Sequence, residues 1–326
     1  MVLKSEIICI TLLLFFLTGK GQDPVYSQFY ANQLLLNPAF AGADECPRTK
    51  LIYRNQWPGI GKSYITYNAW MDVFFEKMNT GLGLIIVDDI QGNNRINNFS
   101  VSIIYAYHIT FRNDFTLAMG FSPRFTHNSI RWDAVYPDML DAINGPVNST
   151  GENFIPGETR NQDIDFSAGF TGFYKEHYFG AAMHHITKPI QMNSSTRNYL
   201  PLKITLHYGT NIIIDNYKIK RGDMSLSPNI IYQYQKNFQQ LCPGVYYNYK
   251  SLISGVWMRI NPFENLDSFI LLLGINQKKM KLSYSFDITM SKIRKGITGS
   301  HEITCGIQFD CWKKKKRKKT IKCPPF

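Results

Sequence analysis

The sequence predicts an all-β fold: a single-chain antiparallel transmembrane β-barrel of the outer-membrane type, about 14 strands around, with short periplasmic turns and longer extracellular loops. Apolar and polar residues alternate along most of the chain, as in strands with one apolar and one polar face. Several of these stretches are ten or more residues long. That length suits a tilted strand that crosses a bilayer in about 9 to 11 residues, whereas soluble strands cluster near about five or six.

Composition agrees with this fold. Charged residues make up only 18% of the 326 residues, while aromatic residues reach 14%, with 19 Tyr and 22 Phe. Aromatic residues are enriched in strands and at the two interfaces of a membrane. The profile therefore favours a membrane barrel over a helical bundle.

The alternation assigns the faces of individual strands. Between residues 281 and 289, one face carries the large apolar groups and the other is polar; the apolar set is Leu282, Tyr284, Phe286 and Ile288. The same pattern predicts strands near residues 50–56, 63–74, 80–88, 98–110, 114–126, 163–174, 177–187, 201–214, 223–236, 239–250, 253–261, 268–276, 280–290 and 300–310.

The connections between these strands predict an orientation. If the first strand runs outward, the odd-numbered connections are the long ones: 57–62, 89–97, 127–162, 188–200, 237–238, 262–267 and 291–299. This alternation of long and short connections fails only for the tight 237–238 link and the longer 215–222 link. Both termini are then expected in the periplasm. The largest connection, 127–162, either folds into the barrel mouth as a plug or is a loose surface loop.

The ends of the chain predict three further segments. Residues 1–21 have the form of a cleavable signal peptide, with Lys4 before an apolar run and small residues at Gly19 and Gly21. The alternative is an uncleaved anchor, but an apolar run of about 11 residues is short against the roughly 20 that a spanning helix needs. Residues 22–49 are expected to form an ordered, extended periplasmic segment, 50–311 the barrel, and 312–326 a basic periplasmic tail.

Most of the net charge of +12 belongs to that tail. Residues 312–326 hold eight Lys and Arg and no acidic residue. A nucleic-acid protein spreads its basic residues over a folded face, so no nucleic-acid partner is predicted; the tail suits anionic lipid headgroups or an acidic partner. Cys311 and Cys323 flank it and can pair in an oxidising periplasm, or remain free thiols.

Motifs for chemistry are missing from the sequence. The seven histidines show no H-E-x-x-H or Cys/His ligand spacing, and neither a G-x-S-x-G elbow nor a Walker loop occurs. In a strand, His184 and His185 would point to opposite faces. Asp88-Asp89 reads as part of a solvated loop, and Asp163 and Asp165 as lumen-facing groups. No catalytic residue, cofactor or metal site is predicted.

Several motifs carry a likeness to a known family. They are Gln22 to Tyr30 (QDPVYSQFY), Asn37 to Gly42 (NPAFAG), Arg54 to Pro58 (RNQWP), Gly81 to Gly92, Tyr232 to Trp257, Ser283 to Asp287 (SYSFD) leading to Gly299 to Glu302, and a basic tail that closes on Cys323 to Phe326. Together they resemble the PorP/SprF family of type IX secretion system membrane proteins over nearly all of the mature chain.

The resemblance implies a non-enzymatic component in the outer membrane of a Bacteroidetes-type cell. It would support export or surface attachment of cargo, such as gliding-type adhesins with a C-terminal sorting domain, and contact a ring lipoprotein and other periplasmic components. Placement of the termini and loops then suggests candidate partner-binding residues: Asp23, Pro24, Asn37, Pro38, Trp132, Tyr136, Cys311, Lys316, Arg317 and Cys323. The alternatives are a channel or transporter for a small or hydrophobic solute, and a secreted soluble sandwich.

Overall fold

The computed structural model describes residues 23–44, 46–60, 64–92, 95–111, 114–132, 140–141, 145–146, 157–192, 198–214, 224–262, 265–277, 279–290 and 299–311. The predicted signal peptide and tail, and with them Lys316, Arg317 and Cys323, lie outside these residues. Tyr136 does so too. Among the described residues, no helix has the length and hydropathy to cross a bilayer.

The described residues form a closed antiparallel barrel of 14 strands, which confirms the predicted fold. Every strand pairs with its neighbours in sequence, and the first pairs with the last through Arg48↔Gln308 to Gln56↔Ser300. The strands are β1 Arg48–Gln56, β2 Tyr64–Phe75, β3 Thr80–Gln91, β4 Ile96–Thr110, β5 Phe115–Trp132, β6 Gly157–Tyr174, β7 His177–His184, β8 Lys203–Thr210, β9 Met224–Gln235, β10 Phe238–Tyr249, β11 Leu252–Asn261, β12 Asn265–Gln277, β13 Met280–Thr289 and β14 Ser300–Gln308.

The faces follow the predicted alternation. On β13, Leu282 and Tyr284 are exposed on the outer wall, while Ser283 and Ser285 are buried. The outer wall as a whole carries exposed large apolar side chains on strand after strand, among them Leu51, Met71, Ile103, Tyr105, Phe121, Leu206, Val256, Leu271 and Ile303. Lipid solvates such a surface, and closure leaves no unpaired strand edge in contact with it.

The barrel has two ends that differ in their connections. We call the end where Arg48 enters β1 and Gln308 leaves β14 the terminal end, and the opposite end the loop end. At the terminal end the connections are short apart from 211–223, and at the loop end they include the long stretches 133–156, 185–202 and 290–299. Both expected exceptions to this alternation of long and short connections, at 211–223 and 236–237, are observed.

Three predicted loops are shorter than expected, and the largest of them, 127–162, shrinks to 133–156 because β5 runs to Trp132 and β6 begins at Gly157. Since β3 runs to Gln91 and β4 begins at Ile96, the predicted 89–97 loop is a hairpin turn; the 262–267 loop shrinks likewise because β12 begins at Asn265. The solvated-loop interpretation of Asp88-Asp89 is wrong. The Asp89 carboxylate accepts hydrogen bonds inside the barrel from Thr66 Oγ1 (2.6 Å), so the strand continues through these polar residues.

The N-terminal segment is neither extended nor outside the barrel. Residues 23–44 run through the lumen as short turns: 3₁₀ turns at Phe29–Asn32 and Pro38–Phe40 around one α-helical turn at Gln33–Leu36. Most of these residues are buried, and those at the two ends are partly exposed. A closed barrel offers no free strand edge, so a chain inside it has to satisfy its backbone by local turns and side-chain bonds.

The cysteines pair differently from the pairing considered above. Cys311 forms a disulfide with Cys46, with a Cα–Cα distance of 4.6 Å, and Cys242 and Cys305 are free. Cys323 lies outside the described residues. The bridge joins the chain just before β1 to the chain just after β14, where the two strands already pair. Separation along the sequence, 265 residues, hid this proximity from a local interpretation.

We expect the disulfide to be visible as a closed loop in the unfolded chain. On a non-reducing denaturing gel, wild type should migrate faster than the Cys46→Ser and Cys311→Ser variants, because the bridge shortens the unfolded coil. Stability should fall by about 2–4 kcal/mol in either variant. Cys305→Ser is the matched control and should migrate like wild type; loss of the fast band in Cys323→Ser instead would contradict the pairing.

Candidate functional site

The stretch of chain inside the barrel, residues 23–44, contacts strands from several parts of the wall, and we call it the lumenal segment. Four candidate partner residues, Asp23, Pro24, Asn37 and Pro38, lie on it. Of the other candidates, the structure describes Trp132 and Cys311, and it brings neither of them to the lumenal segment. Trp132 ends β5 at the loop end, where it pairs with Gly157, and Cys311 lies at the terminal end.

An aromatic cluster holds the middle of the lumenal segment. Tyr30 is fully buried and meets the rings of Tyr178 at 5.7 Å, Trp257 at 6.1 Å and Tyr246 at 6.5 Å. Phe29 lies 5.1 Å from Trp257. Tilted and edge-on pairs of this kind contribute about 0.5–1.5 kcal/mol each beyond burial. The cluster fills the barrel axis where a channel would hold water.

A buried carboxylate caps one turn of the lumenal segment. Glu302 on β14 accepts hydrogen bonds from the backbone N–H groups of Ser27 (2.7 Å) and Gln28 (3.2 Å). Arg54 on β1 forms ion pairs with Glu302 and with Asp287, both at 3.2 Å. An isolated charge would be very costly at such depth. The lumenal segment therefore supplies donors that the carboxylate needs.

A second arginine extends this network. Arg259 on β11 pairs with Asp287 at 3.3 Å and donates to the backbone carbonyl of Tyr26 at 3.2 Å. Charged groups from β1, β11, β13 and β14 thus converge on residues 26–28. The ion pairs join wall residues to one another, and the lumenal segment adds the backbone groups that complete their hydrogen bonding.

Glycines make room for the segment on the opposite wall. A Cβ added at Gly120 would lie 2.7 Å from Ala39 Cα, and one at Gly169 would lie 3.0 Å from Asn37 Cγ. A Cβ at Gly81 would meet the backbone N of Gly42 at 2.8 Å. Real Cβ atoms do not approach other atoms so closely. Gly81 and Gly120 need glycine because backbone of the lumenal segment lies directly against them, and Gly169 because the Asn37 side chain does.

Asn37 fastens the segment to this wall. Its Nδ2 donates to the backbone carbonyls of Phe170 (2.9 Å) and Ala181 (3.2 Å) and lies 3.1 Å from His207 Nε2. Its Oδ1 accepts from the Ala39 N–H and caps the following turn. The Asn-Pro pair in the sequence is therefore a lumenal anchor in this structure, inaccessible from outside.

At the terminal end, a bidentate ion pair closes the segment. Arg48 binds both carboxylate oxygens of Asp72, at 2.7 and 3.0 Å, and Asp72 also accepts from the Gly42 N–H at 2.8 Å. Arg48 further donates to Gln33 Oε1 at 3.0 Å. Planar bidentate pairing of this kind fixes the orientation of the two side chains and also strengthens the interaction. The segment is thus held at both ends and in the middle.

At the loop end, Asp23 lies in an ion-pair cluster. Its Oδ2 is 2.9 Å from His185 Nε2 and 3.3 Å from Lys203 Nζ, and His185 Nδ1 is 2.7 Å from Asp165. His184 and His185 do not lie in one strand, so the condition under which they would face opposite sides is not met. β7 ends at His184 and His185 has φ of +59°, so both rings are buried.

The cluster couples two protonation equilibria. Burial acts to raise the pKa of Asp23, but His185 and Lys203 outweigh it and hold that pKa well below its ordinary value. Burial acts to lower the pKa of His185, but Asp23 and Asp165 outweigh it and raise that pKa above its ordinary value. The cluster therefore favours the carboxylate form of Asp23 and the imidazolium form of His185.

We expect docking of the first lumenal residues to depend on pH. The contribution of His185 is complete below its unfolded pKa and is lost as pH rises through its raised folded pKa; that of Asp23 is present above its unfolded pKa and is lost as pH falls through its lowered folded pKa. Proteolysis near residue 23 should thus increase above neutral pH and in strong acid. Asp23→Asn should flatten the profile, and an unchanged profile would contradict this linkage.

Five wall residues that hold the segment are not among the candidates from the sequence: Arg54, Gly120, Trp257, Arg259 and Glu302. One signal was available. Trp257 and Tyr246 fall on the inward face of their strands, and a water-filled lumen has no use for large aromatic groups there. Among the described residues, no group of three or more His, Cys, Asp or Glu side chains is arranged to hold a metal ion.

A family model described as "Type IX secretion system membrane protein PorP/SprF" matches residues 18–307. No protein of curated function matches the chain. Among solved structures, a Pseudomonas aeruginosa FadL homologue is 11% identical with a TM-score of 0.47, over 84% of this chain and 93% of that one. The Acinetobacter baumannii outer membrane protein Omp33 is 6% identical with a TM-score of 0.47, over 82% of this chain and 100% of that one. At these values the two structures carry no information about function.

Proposed function

Because the chain belongs to the PorP/SprF family of type IX secretion system membrane proteins, we propose that it acts there as a non-enzymatic outer-membrane accessory barrel. It supports export or surface attachment of cargo proteins, such as adhesins with a C-terminal sorting domain, and is not itself the export conduit. The observation that carries this proposal is the filled lumen.

A cargo chain that passed through this barrel would have to displace the lumenal segment first. Displacement would remove the Ser27 and Gln28 donors from Glu302 and the Gly42 donor from Asp72. It would also expose the buried Tyr30 ring to water. Each of these changes costs free energy, because no neighbouring group replaces the contact that is lost. The barrel therefore acts through its ends and its outer wall.

The two ends then serve different partners. The outer wall contacts lipid of the outer membrane. The loop end, with Trp132 and the 133–156 connection, faces cargo outside the cell. The terminal end, with Cys311 and the tail that holds Lys316, Arg317 and Cys323, faces a ring lipoprotein and other periplasmic components. This assignment rests on the longer connections at the loop end, which outer-membrane barrels turn outward.

The N-terminal candidates change their role under this proposal. Asn37 and Pro38 are enclosed by the barrel, so another protein reaches them only if the lumenal segment leaves. Asp23 and Pro24 lie at the loop end, beside a cavity, and are the part of the segment closest to the outside. A cargo or solute that binds at the loop end contacts these two residues, so its binding depends on whether the segment is docked.

The test compares surface and secreted proteins of a type IX secreting strain with and without this gene product. We expect loss of particular cargo from the surface, restored by wild type. A chain lacking residues 312–326 should insert normally but retain less periplasmic partner in a pull-down. A variant whose tail lysines are changed to glutamine keeps the length of the tail, so it separates the effect of tail charge on partner binding from the effect of tail length. Unchanged surface proteins in the deletion strain would refute the proposal.

The cavity at the loop end favours a second candidate function, a transporter or channel for a small solute. Planar-bilayer recording distinguishes the two. An accessory barrel closed by its own segment should show no conductance, whereas steady channel openings of the wild-type protein would favour the solute pathway.

A further inference from the structure

A cavity of 120 Å³ opens at the loop end between the lumenal segment and the barrel wall. One side is charged, with Arg124 and Lys203, and the other is apolar, with Leu35, Leu36 and Val87. A cavity near this volume holds a molecule about the size of benzene. Its lining therefore suits a small amphipathic ligand.

Arg124 has unused hydrogen-bonding capacity in this cavity. It lies on β5 between Ser102 of β4 and Asp165 of β6, and its Nε donates to Ser102 Oγ at 3.2 Å. Within the described residues, its two terminal nitrogens have no partner. The adjacent Asp165 is already engaged, because Oδ2 binds His185 Nδ1 at 2.7 Å and Oδ1 accepts from Thr187 Oγ1 at 3.0 Å.

The two carboxylates that line the cavity are engaged as well. Asp23 binds His185 and Lys203, and Asp89 accepts from Thr66 Oγ1 and Gln91 Nε2, both at 2.6 Å. Neither forms an ion pair with the guanidinium. The two free terminal nitrogens of Arg124 form one planar N–H edge, and such an edge can bind a carboxylate in bidentate fashion.

The apolar side of the cavity lies within the same space. Leu35 is the partly buried leucine of the lumenal segment, and Leu36 and Val87 beside it are buried. A ligand whose carboxylate bound Arg124 would place its next few carbon atoms against these side chains. Burial of that apolar group would add about 25 cal/mol for each Å² removed from water.

We propose that this cavity binds a small carboxylate that carries an apolar group, with Arg124 as the carboxylate-binding residue. Two sources share this chemistry: the C-terminal end of a peptide with an apolar last residue, and a short organic acid. The proposal does not rest on the secretion role, since binding is measured on the purified protein and export in cells.

The test is calorimetric titration of the full-length protein in lipid nanodiscs, which keep detergent out of the cavity. N-acetyl-leucine represents the peptide end and hexanoate the organic acid; N-acetyl-leucinamide and hexanamide are their uncharged counterparts. We expect at least one carboxylate to bind ten times or more tightly than its amide. Tighter binding of N-acetyl-leucine indicates a peptide end as the source, and tighter binding of hexanoate an organic acid.

Variants locate the binding to this residue. Arg124→Gln should weaken carboxylate binding at least tenfold, whereas Arg131→Gln, an exposed arginine on the same strand, should bind like wild type. Equal affinity for carboxylate and amide, no binding of any of the four compounds by wild type, or an Arg124→Gln variant that binds normally would each overturn the proposal. The carboxylate-to-amide comparison needs no variant, so it stands even if Arg124→Gln does not fold.

Discussion

Replacing Gly120 with valine is expected to push the lumenal segment off the wall of β5 and to turn a closed barrel into one that conducts ions. A Cβ at this position would lie 2.7 Å from Ala39 Cα, in a place where both partners are backbone. Neither can rotate away as a side chain would. The segment must move as a whole, and with it the aromatic cluster that blocks the axis.

Single-channel recording in planar bilayers measures this effect directly. Wild type should be silent and Gly120→Val should show openings; protease added to intact vesicles should also reach the lumenal segment in the variant. Gly306→Val is the control, because the nearest atom to a Cβ there, at 3.2 Å, belongs to the flexible Lys50 side chain. A Gly120→Val barrel that folds, judged by its heat-modifiable migration, and remains silent would contradict the assigned role of the segment as a plug.

Replacing Glu302 with leucine is expected to give the largest loss of stability of any single change to the lumen. The variant removes the acceptor for the Ser27 and Gln28 N–H groups and leaves Arg54 with less than its full compensation. Removal of one partner of a buried ion pair costs about 3–5 kcal/mol, because the remaining charge stays desolvated. The urea midpoint in lipid vesicles should fall accordingly.

An exposed ion pair just after the end of β14 provides the control. Asp310 pairs with Lys279 at 2.5 Å, but its side chain is 82% exposed, so Asp310→Leu should leave the urea midpoint unchanged. Glu302→Gln, which keeps one acceptor for a backbone N–H, should fall between Glu302→Leu and wild type. Equal midpoints for Glu302→Leu and Asp310→Leu would mean that the carboxylate does not hold the lumenal segment.

Both variants change residues whose contacts form only when the barrel has closed around the lumenal segment. Gly120 contacts a backbone about 80 residues earlier in the chain, and Glu302 binds Ser27 across a separation of 275 residues. In the sequence, Gly120 is an ordinary strand glycine, and Glu302 ends a family-like motif that gives no sign of its partner in the lumen. Their functions appear only when the lumenal segment is beside them.

Local patterns were reliable where the cause of the structure is local. Alternation at residues 281–289 predicts the faces of β13 correctly, because successive side chains of any strand point to opposite sides. The strand number follows from the same pattern, repeated until a sheet long enough to close has formed, but strand ends do not: β5 runs to Trp132 and β6 begins at Gly157. The predicted loop at 89–97 was wrong because Asp89, a residue typical of loops, is stabilised by Thr66 of the neighbouring strand.

The amino-acid sequence by itself thus determined the barrel, its strand number and which side chains face lipid. Only the tertiary structure decided what fills the lumen, which cysteine bonds Cys311, and that Arg54, Glu302 and Gly120 serve the lumenal segment. The physical reason is that period-two alternation is set by neighbours along the chain. The interior, in contrast, is a volume enclosed by 14 strands at once, and the segment that fits it is selected by shape and charge from residues hundreds of positions apart.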